Sequence, residues 1–145
     1  MMTVAAILKR KGNAVYSALP TDTIADVSRN LSARRIGAVV VMDAGGQLLG
    51  ILSERDIVQS LATNGTQALQ LSAGQLMTRA LKTATPETTA SEALTLMSAG
   101  HFRYLPVIDN GVLTGVVSIG DVVEAKILDQ ESEAGTLRAY VSGAG

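Results

Sequence analysis

The chain writes one pattern twice, and this repetition restricts its fold more than any other feature. Pro20 and Pro86 stand 66 residues apart. At that spacing Ser17 meets Thr83, Thr23 meets Thr89, Leu31 meets Met97, Ile36 meets Phe102, Val41 meets Val107 and Asp43 meets Asp109. One extra turn residue in the first copy then changes the spacing to 65, and Gly50 meets Gly115, Ser53 meets Ser118 and Asp56 meets Asp121. Duplicated units tolerate a length change best when it falls in a turn. The chain must therefore build one supersecondary unit twice.

Each copy opens with a short extended stretch, Ala14–Leu19 and Leu81–Thr85, because proline disfavours helix at the residue before it. A helix follows, carrying Ile24, Val27, Leu31 and Ile36 in copy one and Ala90, Ala93, Leu94 and Met97 in copy two at helical spacing, with Gly100 as the second helix's stop. Ala38–Met42 and Leu105–Ile108 are continuously apolar, as in strands buried on both faces. Asp43-Ala-Gly-Gly46 and Asp109-Asn-Gly111 are turns, and Asn-Gly favours a tight hairpin. Leu48–Leu52 and Leu113–Val117 return as strands, and closing helices start near Ser53 and Ser118, carrying Ile57, Val58 and Leu61, then Val122, Val123 and Ile127.

The expected fold class is α+β, with two strand–helix–strand–strand–helix units. One unit, about 50 residues, is marginal for a core by itself, so two packed sheet to sheet should share one. The boundaries read as 1–64 for the first repeat with an N-terminal helix, 65–75 for a linker, 76–130 for the second repeat and 131–145 for a fraying tail.

Composition narrows the function. Of 145 residues 47% are hydrophobic but only 3% aromatic, so the core must be aliphatic, with Met42, Met77 and Met97 as filler. The net charge is −1, from 12 basic and 13 acidic residues. Such balance disfavours nucleic acid and anionic membranes as partners. With no cysteine and one histidine, His101, thiol chemistry and a His-rich metal site are excluded. No apolar run is long enough to span a bilayer and the N-terminus does not read as a signal peptide, so a soluble cytoplasmic protein is expected. There is no nucleophile–base pair to suggest an enzyme.

Both copies end on Ser-x-x-Asp. Serine followed three residues later by an acid is a helix capping box. The same arrangement suits a nucleotide: N–H groups at a helix start attract phosphate, and a carboxylate holds ribose hydroxyls. Gly50 and Gly115, three residues before each serine, leave room for a ligand or another backbone.

These paired units, VVVMD…G-I-L-S-x-x-D and LPVID…G-V-V-S-x-x-D, each opened by Ser or Thr three residues before Pro, resemble a pair of CBS domains (a Bateman module) over about residues 7–128. The resemblance implies two repeats related by a pseudo-twofold, with two clefts that bind adenosine-containing ligands such as AMP, ADP, ATP, NAD(H) or S-adenosylmethionine. It further implies a homodimer that regulates another protein through ligand-dependent rearrangement of the repeats. In the favoured cleft, Asp121 would hold ribose, Ser118 and Arg103 phosphate, and Val15, Ser17, Ile36, Gly37 and Ala38 the adenine. The second would use Ser53, Asp56 and Arg55, walled by Thr83, Ala84, Arg103 and Tyr104. The favoured cleft has Arg103 where copy one has Gly37, and Gly120 where copy one has the bulkier Arg55. The rival reading is a structural dimerisation module with vestigial clefts. Lys9-Arg10-Lys11 reads as a solvated helix end, His101 as a solvated loop residue, and Asp43 and Asp109 as turn formers.

Overall fold

The computed structural model describes residues 1–79 and 82–143, with side chains to residue 132. The chain divides into two compact units: Val15–Leu81, and a second made of Met1–Ala14 with Lys82–Gly145.

The middle unit is built as β1 (Ser17–Ala18), α2 (Ile24–Arg34), β2 (Ala38–Met42), β3 (Leu48–Ser53) and α3 (Glu54–Asn64); α1 belongs to the other unit. β1 pairs parallel with β2, and β2 antiparallel with β3. Thr23 caps α2, its hydroxyl accepting from the Asp26 N–H at 3.2 Å, and Ile24, Val27 and Leu31 are buried by helical periodicity. They pack with Ala18, Val39, Val41, Leu52 and Ile57. The expected linker is part of this unit: a 3-10 turn at Gly65–Gln70 and the short α4 (Ala73–Leu76) bury Ala68 and Ala73. Thr78 then bridges to Ile51 beside β3.

The other unit contains α1 (Val4–Lys11), α5 (Ala90–Gly100), β4 (Tyr104–Asp109), β5 (Val112–Ser118) and α6 (Ile119–Gly143). The Asn110-Gly111 turn has φ of 50° and 80° and closes β4 on β5 as an antiparallel hairpin. Both hairpins carry a register shift at the same repeat position, between Val41 and Met42 and between Val107 and Ile108.

Several expectations change. The N-terminal helix belongs to the unit of the second repeat rather than the first. Val4, Ile7 and Leu8 are buried among Ala84, Ala93, Leu105, Val107 and Val122 of the second, and Val4 and Ala5 donate to the Thr88 and Pro86 carbonyls at 2.7 and 2.9 Å. The opening strands are shorter than expected. β1 has two residues, and copy two has only the Ala84–Val107 bridge, with Leu81 outside the described residues. The expected tail continues α6 to Gly143; Ala144 and Gly145 lie outside the described residues. Val58, Val123 and Ile127 point outward, being 62%, 40% and 49% exposed, while their neighbours Ile57 and Val122 are buried.

Gly100 is the last residue of α5 rather than its stop. His101 takes the left-handed position, φ 57° and ψ 32°, as Arg35 does after α2 at φ 53° and ψ 45°. Gly100 is required for a different reason: a Cβ there would collide with the Phe102 ring.

Candidate functional site

Each unit brings its Ser-x-x-Asp to the junction where a hairpin strand enters a helix. In the middle unit the Ser53 hydroxyl accepts from the Asp56 N–H at 3.2 Å, and the Asp56 carboxylate accepts from the Ser53 N–H at 2.9 Å and its hydroxyl at 3.0 Å. In the other unit the Ser118 hydroxyl accepts from the Asp121 N–H at 3.1 Å, and Asp121 Oδ2 accepts from the Ser118 N–H at 2.8 Å. Both are capping boxes. The box fixes each carboxylate by one oxygen, and no donor meets Oδ1 of Asp56 or Asp121 among the described residues.

The strands bring further expected residues to these junctions. Ala38 pairs with Ser53, and the Gly37 carbonyl accepts from the Glu54 N–H at 2.9 Å. Tyr104 pairs with Ser118, and the Arg103 carbonyl accepts from the Ile119 N–H at 2.8 Å. Arg55 and Arg103 both have exposed side chains. Ser17 is exposed on β1, Val15 is half-buried just before it, and Ile36 and Gly37 border a groove of about 510 Å³ between α2 and α3. Thr83 is exposed. Ala84 is buried, 2% exposed, in the core cluster that holds Val107 and Leu105.

The spacing glycines serve the fold. A Cβ on Gly50 would lie 2.6 Å from the Thr78 carbonyl oxygen and 2.8 Å from Met77 Sδ. One on Gly115 would lie 2.8 and 2.9 Å from the methyls of Leu8 on α1. Each glycine makes room for a neighbour within its own unit.

One contact has no counterpart in the sequence reading. Lys11, at the end of α1, donates to Asp121 Oδ2 at 2.7 Å and to the Val116 carbonyl at 3.0 Å, while Arg10 pairs with Glu124 at 3.2 Å. The basic run is thus not simply solvated. No local pattern betrays this, since Lys11 and Asp121 are 110 residues apart.

Burial is the largest single influence on the Asp121 carboxyl and raises its pKa. The hydrogen bonds from Lys11 and Ser118, with the Lys11 charge, outweigh it and hold the group below its ordinary value. A carboxyl whose folded pKa lies below its unfolded one contributes stability above the unfolded value and loses it as pH falls through the folded value. Glu92 is lowered too, by bonds from the Thr89 backbone and hydroxyl. Stability should therefore decline below about pH 4, the unfolded carboxylate range. Asp121→Asn should flatten part of that decline while the Glu92 share remains. Denaturant titrations at stepped acidic pH measure it, and an unaltered pH profile in Asp121→Asn would refute the assignment.

The family model of the CBS domain matches this chain twice, over residues 4–63 and 73–127. The chain belongs to the CBS domain family. Its CBS pair is 34% identical over 149 residues to the mitochondrial CBS domain-containing protein CBSX3 of Arabidopsis thaliana, covering 97% of this chain and 72% of that protein. It is also similar to the crystal structure of a CBS-domain-containing protein from Agrobacterium tumefaciens, with a TM-score of 0.82 and 41% identity over 86% of this chain and 92% of the other. At 24% identity and a TM-score of 0.75, the CBS domain pair of protein MJ0100 shares the fold, over 86% of this chain and 94% of the other; that structure holds 5′-methylthioadenosine and S-adenosyl-L-methionine. A CBS pair is a regulatory module. None of its described helices is long and apolar enough to cross a membrane.

Proposed function

We propose that this CBS pair is a non-catalytic sensor of an adenosine-containing ligand, bound as a dimer and regulating a second protein. The observation that carries the reading is the duplicated carboxylate. Asp56 and Asp121 each stand at a strand–helix junction, held by one oxygen while the other is left without a protein donor among the described residues. An anchored carboxylate with an open oxygen suits ribose hydroxyls. The ligands in the MJ0100 structure are adenosine compounds, which favours the same class here.

Ser118, Asp121 and Arg103 are the proposed ribose and phosphate contacts of the favoured site, and Ser53, Asp56 and Arg55 those of the second. The ligand signals only to the extent that it prefers one arrangement of the repeats over another.

Thermal unfolding against AMP, ADP, ATP, NADH and S-adenosylmethionine tests this. A ligand that binds only the folded chain stabilises it by about 2.7 kcal/mol at a hundredfold excess over its Kd. Asp121→Ala should weaken binding by about 10- to 100-fold, the worth of hydrogen bonds to a charged acceptor, and by more than Asp56→Ala does. Equal binding by wild type and both variants would remove the site assignment.

A second reading has its own observation. The outward valines, Val58 and Val123, occupy the same position in the two repeats, as a self-association surface would. If no adenosine ligand shifts unfolding while the chain sediments as a dimer, a structural dimerisation module is the better account.

A further inference from the structure

The Lys11 ammonium has two protein acceptors, Asp121 Oδ2 at 2.7 Å and the Val116 carbonyl at 3.0 Å. Oδ2 also accepts from the Ser118 N–H at 2.8 Å. A carboxylate oxygen offers two lone-pair positions, so Oδ2 is already full. A vicinal diol that places one hydroxyl on each carboxylate oxygen must take Oδ2 from Lys11. The displaced ammonium keeps the Val116 carbonyl; its side chain is exposed, at 37%, on the rim of a cavity of about 190 Å³ shared with Arg10, Glu124 and Ala125. A cation that loses its anion gives up a charge-assisted contact, a modest loss where the group is exposed, unless another anion takes its place.

We propose that Lys11 makes the Asp121 site selective for anionic adenosine ligands over uncharged ones. This rests on the reading of Asp121 as a ribose-binding carboxylate. A nucleotide brings both groups that the exchange needs: its diol takes Oδ2, and its phosphate takes the released ammonium. The flexible four-carbon stem allows the charge to follow the phosphate. Uncharged adenosine supplies the diol alone and leaves Lys11 with the Val116 carbonyl and no anion. Asp56 lacks this selector. Its carboxylate accepts only from Ser53, and no lysine or arginine bridges it among the described residues.

The test is calorimetric titration of adenosine and of AMP into the full chain as wild type, Lys11→Met and Lys11→Arg. Wild type should bind AMP about tenfold tighter than adenosine, the size of one charge-assisted contact. In Lys11→Met adenosine should bind about two- to fivefold tighter, as a partly exposed ion pair no longer competes, and AMP should bind more weakly, so the preference narrows to the share that Arg103 supplies. Lys11→Arg keeps the charge and should keep the preference, which separates loss of selection from loss of folding. An AMP-to-adenosine ratio unchanged in Lys11→Met overturns the selector and leaves the ribose site standing. Failure of wild type and Lys11→Met to bind either compound overturns the ribose site and the selector together.

Discussion

Leu52→Ala lowers the unfolding free energy of the middle unit by about 2–5 kcal/mol. Leu52 is wholly buried on β3, in one core cluster with Ile24, Val27 and Leu31 of α2 and Ile57 of α3. Its removal costs the transfer free energy of the side chain and also leaves a cavity. Three features keep that cavity from closing cheaply. The walls are β-branched or aliphatic side chains already in contact. The middle unit has no phenylalanine or tryptophan to swing in, and its one tyrosine, Tyr16, is exposed. The strand is fixed by pairing to β2 on one side and by the Thr78 bridge to its neighbour Ile51 on the other. Chemical denaturation followed by circular dichroism measures the loss. A change below about 1 kcal/mol would mean that the core collapses around the gap.

The second large effect is Gly50→Ala, expected to cost about 1–3 kcal/mol, as overpacking does. The added methyl would sit 2.6 Å from the Thr78 carbonyl oxygen, and that backbone is held by reciprocal bonds with Ile51 at 3.1 and 2.8 Å. Backbone so anchored yields only by breaking those bonds. Gly115→Ala is the informative comparison. Its nearest obstacles are the terminal methyls of Leu8, which rotate away, so its cost should be smaller. If both substitutions cost the same, the Thr78 segment does not hold its position against β3. Hydrogen exchange of the Thr78 amide would report the disruption directly, rising in Gly50→Ala and unchanged in Gly115→Ala.

These two glycines show where sequence reading reaches and where it stops. The repeat makes their correspondence plain, and the need for a missing side chain was legible. What occupies the space was not, because Thr78 and Leu8 arrive from segments without a repeated signature. The hairpins were legible almost to the residue, since an apolar strand, an Asn-Gly turn and a returning strand are local signals. The opening strands were not. Their extended geometry follows from the prolines, yet pairing depends on how much backbone reaches the neighbouring strand, and that is a tertiary matter. The helix ends escaped for another reason. Arg35 and His101 occupy left-handed positions that a reader assigns to glycine, and here the turn accommodates the strain. In the candidate site the Ser-x-x-Asp geometry was readable because a capping box is local. The cation on Asp121 was not, because nothing near Lys11 in the chain marks the carboxylate it meets.

The placement of α1 has a consequence for how the chain is made. Val15–Leu81 is one unbroken stretch, whereas the other unit is stitched from Met1–Ala14 and Lys82–Gly145. On a ribosome the middle unit therefore has all its parts first, and domains generally fold as units during synthesis. Helix α1 emerges earlier still, yet the core that receives Val4, Ile7 and Leu8 reaches as far as Ala125. Helix α1 must wait, its apolar stripe uncovered, until Val122 and Ala125 are synthesised.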